Sequence, residues 1–159
     1  MRVAVSHADD VALIRCDART YGELLGFCAE ERSEVAIVAS ELASNVVKYG
    51  VSGHVEILPV RSGERVIGVK IDGWDVGPPF HDFDLACLDG HDDLGRIDPA
   101  TMSTRKGFGG GLGAVRRLCE SVRLEQNGSA KCVSALWLRY AVGKRVEERR
   151  YARASGDQR

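Results

Sequence analysis

The sequence predicts an α+β fold, a two-layer α/β sandwich in which helices cover one face of a mixed sheet. The chain has 159 residues, a length that suits a single domain with a substantial core. Its candidate elements follow in the order helix, hairpin, loop, helix, hairpin. Strand pairs bracketed by helices are typical of this class of fold. We therefore expect one domain over residues 1–142 and a charged C-terminal tail over 143–159.

The composition excludes several classes of protein. Hydrophobic residues make up 44% of the chain, charged residues 28%, and the net charge is −1. This balance gives no electrostatic reason to expect nucleic acid or an anionic membrane as a partner. No run approaches the roughly 20 apolar residues that span a bilayer, and the N-terminus lacks a signal-peptide pattern. The expected location is the cytoplasm. The five scattered cysteines form no C-x-x-C pair and suit reduced, buried thiols.

The first half of the chain predicts a short strand over 2–5, a helix over 9–18 and a turn within 21–27. A longer helix is predicted over 33–49, with Ser33 as its N-cap and Gly50 as its stop. Its apolar residues recur at helical spacing: Val35, Ile37, Val38, Leu42, Val46 and Val47.

The second half predicts two hairpins separated by a long loop. Strands over 54–60 and 65–72 form the first hairpin, and Pro78 and Pro79 break the regular structure after it. A polar, irregular stretch over 80–106 is then either a functional lid or a linker. A helix over 114–122, a strand over 122–126, an Asn127-Gly128 turn and a strand over 133–142 complete the domain.

A glycine-rich segment precedes the second long apolar helix. Five glycines occur within seven residues, Gly107, Gly109, Gly110, Gly111 and Gly113, with Leu112 among them. Such a run exposes backbone N–H groups, and the helix that follows offers its positive N-terminal end, so both properties suit a phosphate chain. A plain connector remains the alternative.

Two polar residues lie near the apolar side of the 33–49 helix. Glu41 and Asn45 are four residues apart and therefore share one face. An asparagine amide oxygen suits Mg²⁺, and a glutamate one turn earlier can accept a proton from an attacking hydroxyl. The alternative is that both residues lie on the solvated edge of the helix.

Asp75 and Gly77 follow the second strand of the first hairpin. The carboxylate can accept a hydrogen bond from an exocyclic amine such as adenine N6, and Gly77 permits close approach of a flat ring. The alternative is turn chemistry, because aspartate before glycine and proline often begins a turn.

Taken together, these motifs resemble the ATP-binding domain of the GHKL superfamily, which includes gyrase, Hsp90, histidine kinases and MutL. The likeness spans roughly residues 33–140. Within the superfamily the chain looks most like small bacterial switch-protein serine kinases and anti-sigma factors of the RsbT and RsbW type. The segment 40–49, SELASNVVKY, and the segment 112–118, LGAVRRL, carry that likeness.

The resemblance implies a role for each motif residue. Asn45 binds Mg²⁺, Glu41 is the catalytic base, and Asp75 with Gly77 holds adenine. Lys48 stands among the nucleotide-binding residues, and the segment from Gly107 to Gly113 forms the end of the ATP lid. No phosphoacceptor histidine motif is visible, unlike in a full histidine kinase.

The implied function is an ATP- and Mg²⁺-dependent serine/threonine kinase that phosphorylates a STAS-domain antagonist or a stressosome-like regulatory protein. The alternative is a non-catalytic partner switch or anti-sigma factor, with ATP structural or absent, that sequesters a sigma factor or activates a phosphatase; a homodimer is left open. The sequence departs from the pattern at Pro79, which replaces a glycine, in a longer lid, and on the last strand. There Lys131, Cys132 and Ser134 stand where a Gly-Thr pair is usual.

Overall fold

A computed structural model describes residues 1–98 and 111–139 of the chain. The helices within this part are α1 (Ala8–Leu24), α2 (Ala29–Tyr49), α3 (Phe83–Ala86) and α4 (Gly111–Leu118). The strands are β1 (Arg2–Val5), β2 (Ser52–Ser62), β3 (Arg65–Val76), β4 (His91–Asp92), β5 (Gly95–Arg96), β6 (Ser121–Asn127) and β7 (Ala130–Leu138). Five strands form one sheet in the order β1-β2-β3-β7-β6, while β4 and β5 pair separately.

The predicted α+β class is confirmed, but the sheet is not mixed. All four of its neighbouring pairs, within the part described, are antiparallel. Two helices, α1 and α2, lie between β1 and β2, and β2 runs antiparallel to β1. The crossover through α4 does make β6 parallel to β3, but the β6–β7 hairpin inserts β7 between them. Parallel strands are thus present without being neighbours.

The core lies between α2 and the inner face of the sheet. Leu42 packs so closely on β3 that a Cβ atom at Gly73 would lie 3.2 Å from the Leu42 Cβ. Trp137 is fully buried, donates a hydrogen bond of 2.9 Å from Nε1 to Glu34 Oε2, and stacks at a tilt on Phe27. These contacts fix α2, and the polar residues along it, against β3 and β7.

Helix α2 begins earlier than predicted. The sequence suggested Ser33 as the N-cap, but the N-cap is Cys28, and the Ser33 hydroxyl donates to the Ala29 carbonyl inside the helix at 2.9 Å. The Cys28 N–H donates to the Glu31 carboxylate at 2.9 Å, which completes a capping box. A cysteine is not a usual N-cap residue, so this start carried a weak sequence signal. The predicted end before Gly50 is confirmed.

Several other boundaries differ from the prediction. Helix α1 runs to Leu24, and α4 begins at Gly111 and ends at Leu118. Strands β2 and β3 are longer than expected, and β7 begins at Ala130 because its pairing with β3 continues to Val76. Tertiary pairing thus extends strands whose sequence alternation stops earlier.

The stretch after β3, predicted to be irregular, contains short regular elements as far as Asp98. Asp82 caps α3 by accepting a hydrogen bond from the Leu85 N–H at 2.9 Å. Asp92 Oδ1 accepts from the N–H groups of Leu94 and Gly95 and so closes the β4–β5 turn. Acidic residues here serve as caps and turn acceptors, a use that composition alone does not reveal.

The predicted tail over 143–159, the final residues of the predicted strand at 140–142 and the predicted loop after Asp98 lie outside the described residues. Among the helices that are described, none combines the length and the hydropathy needed to cross a membrane.

The cysteines differ in accessibility, which predicts their order of modification. Cys87 and Cys132 are buried, whereas Cys16 and Cys28 are exposed. The prediction of buried thiols is therefore confirmed for Cys87 and Cys132 and wrong for Cys16 and Cys28. Burial raises the pKa of the Cys87 and Cys132 thiols, and the thiolate is the reacting form. We expect iodoacetamide at neutral pH to label Cys16 and Cys28 first, as followed by peptide mass mapping. Equal labelling in the unfolded chain is the control, and early labelling of Cys132 in the folded protein would contradict the expectation.

Candidate nucleotide-binding site

A cavity of about 560 Å³ lies between α2 and the segment that follows β3. Helix α2 lines it with Glu41, Ser44, Asn45 and Lys48, which recur at helical spacing. The opposite wall is formed by residues of the segment 78–97 and by the start of α4. Its size falls within the range of small-ligand sites.

Glu41 and Asn45 share one cavity, as their spacing predicted. Gly111 and Leu112, at the start of α4, line the same cavity. A Cβ atom at Gly111 would lie 2.6 Å from Glu41 Oε2, so a larger residue there would push the carboxylate aside. The first turn of α4 is thereby held against the acidic side chain of α2.

Asn45 has an incomplete set of hydrogen bonds. Its Nδ2 atom is buried and has no hydrogen-bond partner among the described residues. The two ends of an amide are assigned by their surroundings, so this side chain can present either its oxygen or its nitrogen. A buried amide N–H without an acceptor is costly, and a phosphate oxygen would satisfy it, whereas a cation would bind the amide oxygen. The residue therefore fits the Mg²⁺ role that the resemblance implies.

Gly77 lies where three chain segments converge. A Cβ atom at this position would strike the Tyr49 carbonyl and lie 3.2 Å from the Gly50 Cα. The Gly77 N–H donates to the Ser129 carbonyl at 2.8 Å, which ties the end of β3 to the β6–β7 turn. This close packing at the end of α2 leaves no room for a side chain, so position 77 requires glycine.

Asp75 is paired with a lysine that the sequence analysis did not count among the site residues. Lys131 lies directly opposite Asp75 across β3 and β7, and its Nζ is 2.7 Å from Asp75 Oδ1. Both side chains are buried: that of Lys131 is 4% exposed and that of Asp75 is 5% exposed. At this distance the ammonium group and the carboxylate form a close, buried ion pair. Burial raises the pKa of the Asp75 carboxyl, and the Lys131 ammonium opposes that shift.

Lys131 is held from two further directions. Its Nζ donates to the Pro78 carbonyl at 2.8 Å and lies 5.8 Å from the centre of the Phe80 ring. Phe80 is itself fixed, because its N–H donates to the Gln126 side chain at 3.0 Å. Neither Lys131 nor Phe80 was predicted as a site residue, although the sequence analysis noted that Lys131 stands where a Gly-Thr pair is usual. The available signal was a lysine at the start of an otherwise apolar strand.

Two arginines of α4 attach the segment after β3. Arg116 Nη1 lies 3.2 Å from Asp84 Oδ1, and Arg117 pairs with Asp89. Gly113 packs on the Asp89 carboxylate with no room for a side chain. These two exposed ion pairs connect the segment after β3 to α4.

The structure brings Glu41, Asn45, Lys48, Gly111 and Leu112 to one cavity. Asp75 borders a second, smaller cavity, whereas Gly77 and Gly113 line neither cavity and are closely packed against neighbouring residues. The other three predicted glycines, Gly107, Gly109 and Gly110, lie outside the described residues.

The fold and this cavity define a small two-layer α+β protein with a pocket between its long helix and the segment after β3. The chain is 30% identical to the serine/threonine-protein kinase RsbT of Bacillus subtilis over 132 residues, which covers 82% of this chain and 90% of RsbT. The chain belongs to the RsbT family.

A structural comparison supports the same fold. A chain in the crystal structure of the SiaB–SiaC complex from Pseudomonas aeruginosa matches with a TM-score of 0.56. The match covers 86% of this chain and 89% of that one, at 13% identity. No protein-family model matches the sequence.

Proposed function

We propose that this protein is an ATP-dependent serine/threonine kinase of a partner-switching system, and that it phosphorylates a small STAS-domain antagonist protein. The observation that carries the proposal is the cavity shared by Glu41, Asn45 and the start of α4. Membership of the RsbT family supports it, because RsbT is itself named as a serine/threonine kinase.

Glu41 is the proposed general base. Its carboxylate lies at the cavity wall beside Gly111, and the hydroxyl of the partner protein would have to reach it there. When bound, ATP would supply the phosphoryl group that is transferred, and Mg²⁺ would neutralise the charge of the phosphates. Glu41 accepts the hydroxyl proton as the serine or threonine oxygen forms its bond to phosphorus and ADP leaves.

Asn45 and Lys48 are the proposed holders of the phosphates and the metal. The Asn45 amide oxygen is a ligand type that Mg²⁺ accepts, and its buried, unpaired Nδ2 can donate to a phosphate oxygen. Lys48 lines the cavity one turn further along α2 and places positive charge there. The N–H groups of the first turn of α4 add further donors for anionic oxygens.

The test is direct phosphotransfer. The purified full chain is incubated with γ-labelled ATP, Mg²⁺ and a candidate STAS-domain protein. We expect label on a serine or threonine of the STAS protein and none when Mg²⁺ is removed with a chelator. A STAS protein that binds the chain but remains unlabelled would instead favour the alternative function.

That alternative is a non-catalytic switch or anti-sigma factor that sequesters a regulator. The buried Asp75–Lys131 ion pair favours it, because the expected adenine-binding carboxylate already has a charged neighbour. Under this alternative, capture of the regulator is independent of added nucleotide.

A further inference from the structure

The place expected for the nucleotide base is almost filled by the protein itself. The small cavity at Asp75, which we call the base subsite, has a volume of about 10 Å³. Such a volume holds roughly one water molecule. Its walls come from Leu42, Val46, Gly73, Val133, Phe80 and Lys131, among others. The base subsite is therefore closed to a purine ring.

The neighbouring cavity is open by contrast. Asn45, Tyr49, Phe80 and Lys131 border both the 560 Å³ cavity and the base subsite. Phosphates thus have room beside α2, whereas a base would have to displace a side chain near Asp75. Lys131 and Phe80 stand on the boundary between the two spaces.

Lys131 is held there by charge. Its ammonium group is 2.7 Å from the Asp75 carboxylate and donates to the Pro78 carbonyl, and its side chain is 4% exposed. The full positive charge of the ammonium attracts a buried carboxylate in a way that a neutral amine such as adenine N6 cannot match. Adenine therefore competes poorly for Asp75 while Lys131 remains in place.

We propose that Lys131 is an internal occupant of the base subsite and determines its base selectivity, by taking the carboxylate that an exocyclic amine would otherwise use. This inference rests on the proposed nucleotide-binding function and adds that Lys131 limits the affinity and the base selectivity of the site. The native protein then binds nucleotides mainly through their phosphates. Its affinity for ATP is low, and it hardly distinguishes one purine from another.

The experiment compares ATP with inosine triphosphate, which carries an oxygen in place of the N6 amine. Both are titrated with Mg²⁺ by calorimetry into the native chain and the Lys131→Met variant, which keeps side-chain length but loses the charge. We expect the native chain to bind the two nucleotides within about threefold of each other. Lys131→Met should bind ATP about tenfold more tightly than the native chain and prefer it over inosine triphosphate, as a newly made hydrogen bond to a charged group allows.

Lys70→Met is the matched control. Lys70 pairs with buried Asp72 at 2.8 Å on the same strand, but residues 70 and 72 face away from the base subsite. This variant should bind both nucleotides as the native chain does. If Lys131→Met does not fold, as judged by circular dichroism, the comparison in the native chain still tests the proposal.

The outcomes separate this inference from the proposed function. Strong native preference for ATP, or unchanged or weaker ATP binding by folded Lys131→Met, overturns the role of Lys131 and leaves ATP binding intact. Absence of binding of either nucleotide to every folded variant overturns both.

Discussion

Replacing Glu41 by glutamine is expected to lower the rate of phosphotransfer by about 10²- to 10⁴-fold, the usual contribution of a general base. Glutamine keeps the size of the side chain and its contact with Gly111, but it cannot accept the hydroxyl proton. The affinity for Mg²⁺ and ATP should be little changed, because the phosphates are assigned to Asn45, Lys48 and α4. Initial rates with labelled ATP and a calorimetric titration measure the two quantities separately.

Glu30→Gln is the control for this prediction. Glu30 is an exposed glutamate in the first turn of the same helix, distant from the cavity along α2. The substitution makes the same change of charge and should leave the transfer rate as it was. A Glu41→Gln protein that transfers phosphate at the native rate would remove Glu41 from the mechanism.

The part of the site that could be predicted from sequence depends on local geometry. Glu41 and Asn45 share a face because residues four apart on a helix always do, and the apolar residues of α2 show which side is buried. The glycine run and the apolar residues after it predicted a helix here, but over 114–122, whereas α4 begins at Gly111. The α+β class was predictable from the order of these local elements.

The parts that could not be predicted depend on distant pairing. Asp75 and Lys131 are opposite each other only because β7 enters the sheet beside β3, in a register that neither strand encodes alone. The antiparallel sheet has the same origin, since the β6–β7 hairpin separates β6 from β3. Phe80 is fixed by Gln126, another partner from a distant strand. The base selectivity that we propose for Lys131 depends on these contacts between distant strands, so local sequence patterns do not predict it.

Replacing Asn45 by alanine is expected to uncouple ATP binding from Mg²⁺ without destabilising the fold. A native amide that is buried and unpaired costs free energy, so its removal should leave the free energy of unfolding unchanged or raise it by up to about 1 kcal/mol. In the native protein Mg²⁺ should strengthen ATP binding through the amide oxygen. In the variant that strengthening should fall by about tenfold, the loss of one ligand contact.

The measurement is ATP affinity with and without Mg²⁺, together with urea unfolding of the same samples. Asn127→Ala is the control, because Asn127 is an exposed asparagine at the end of β6 and should leave the Mg²⁺ response unchanged. A purely structural Asn45 would lose stability on truncation and keep its Mg²⁺ response. Retained stability with a lost Mg²⁺ response would identify the amide as a ligand, since the fold itself gains nothing from keeping it.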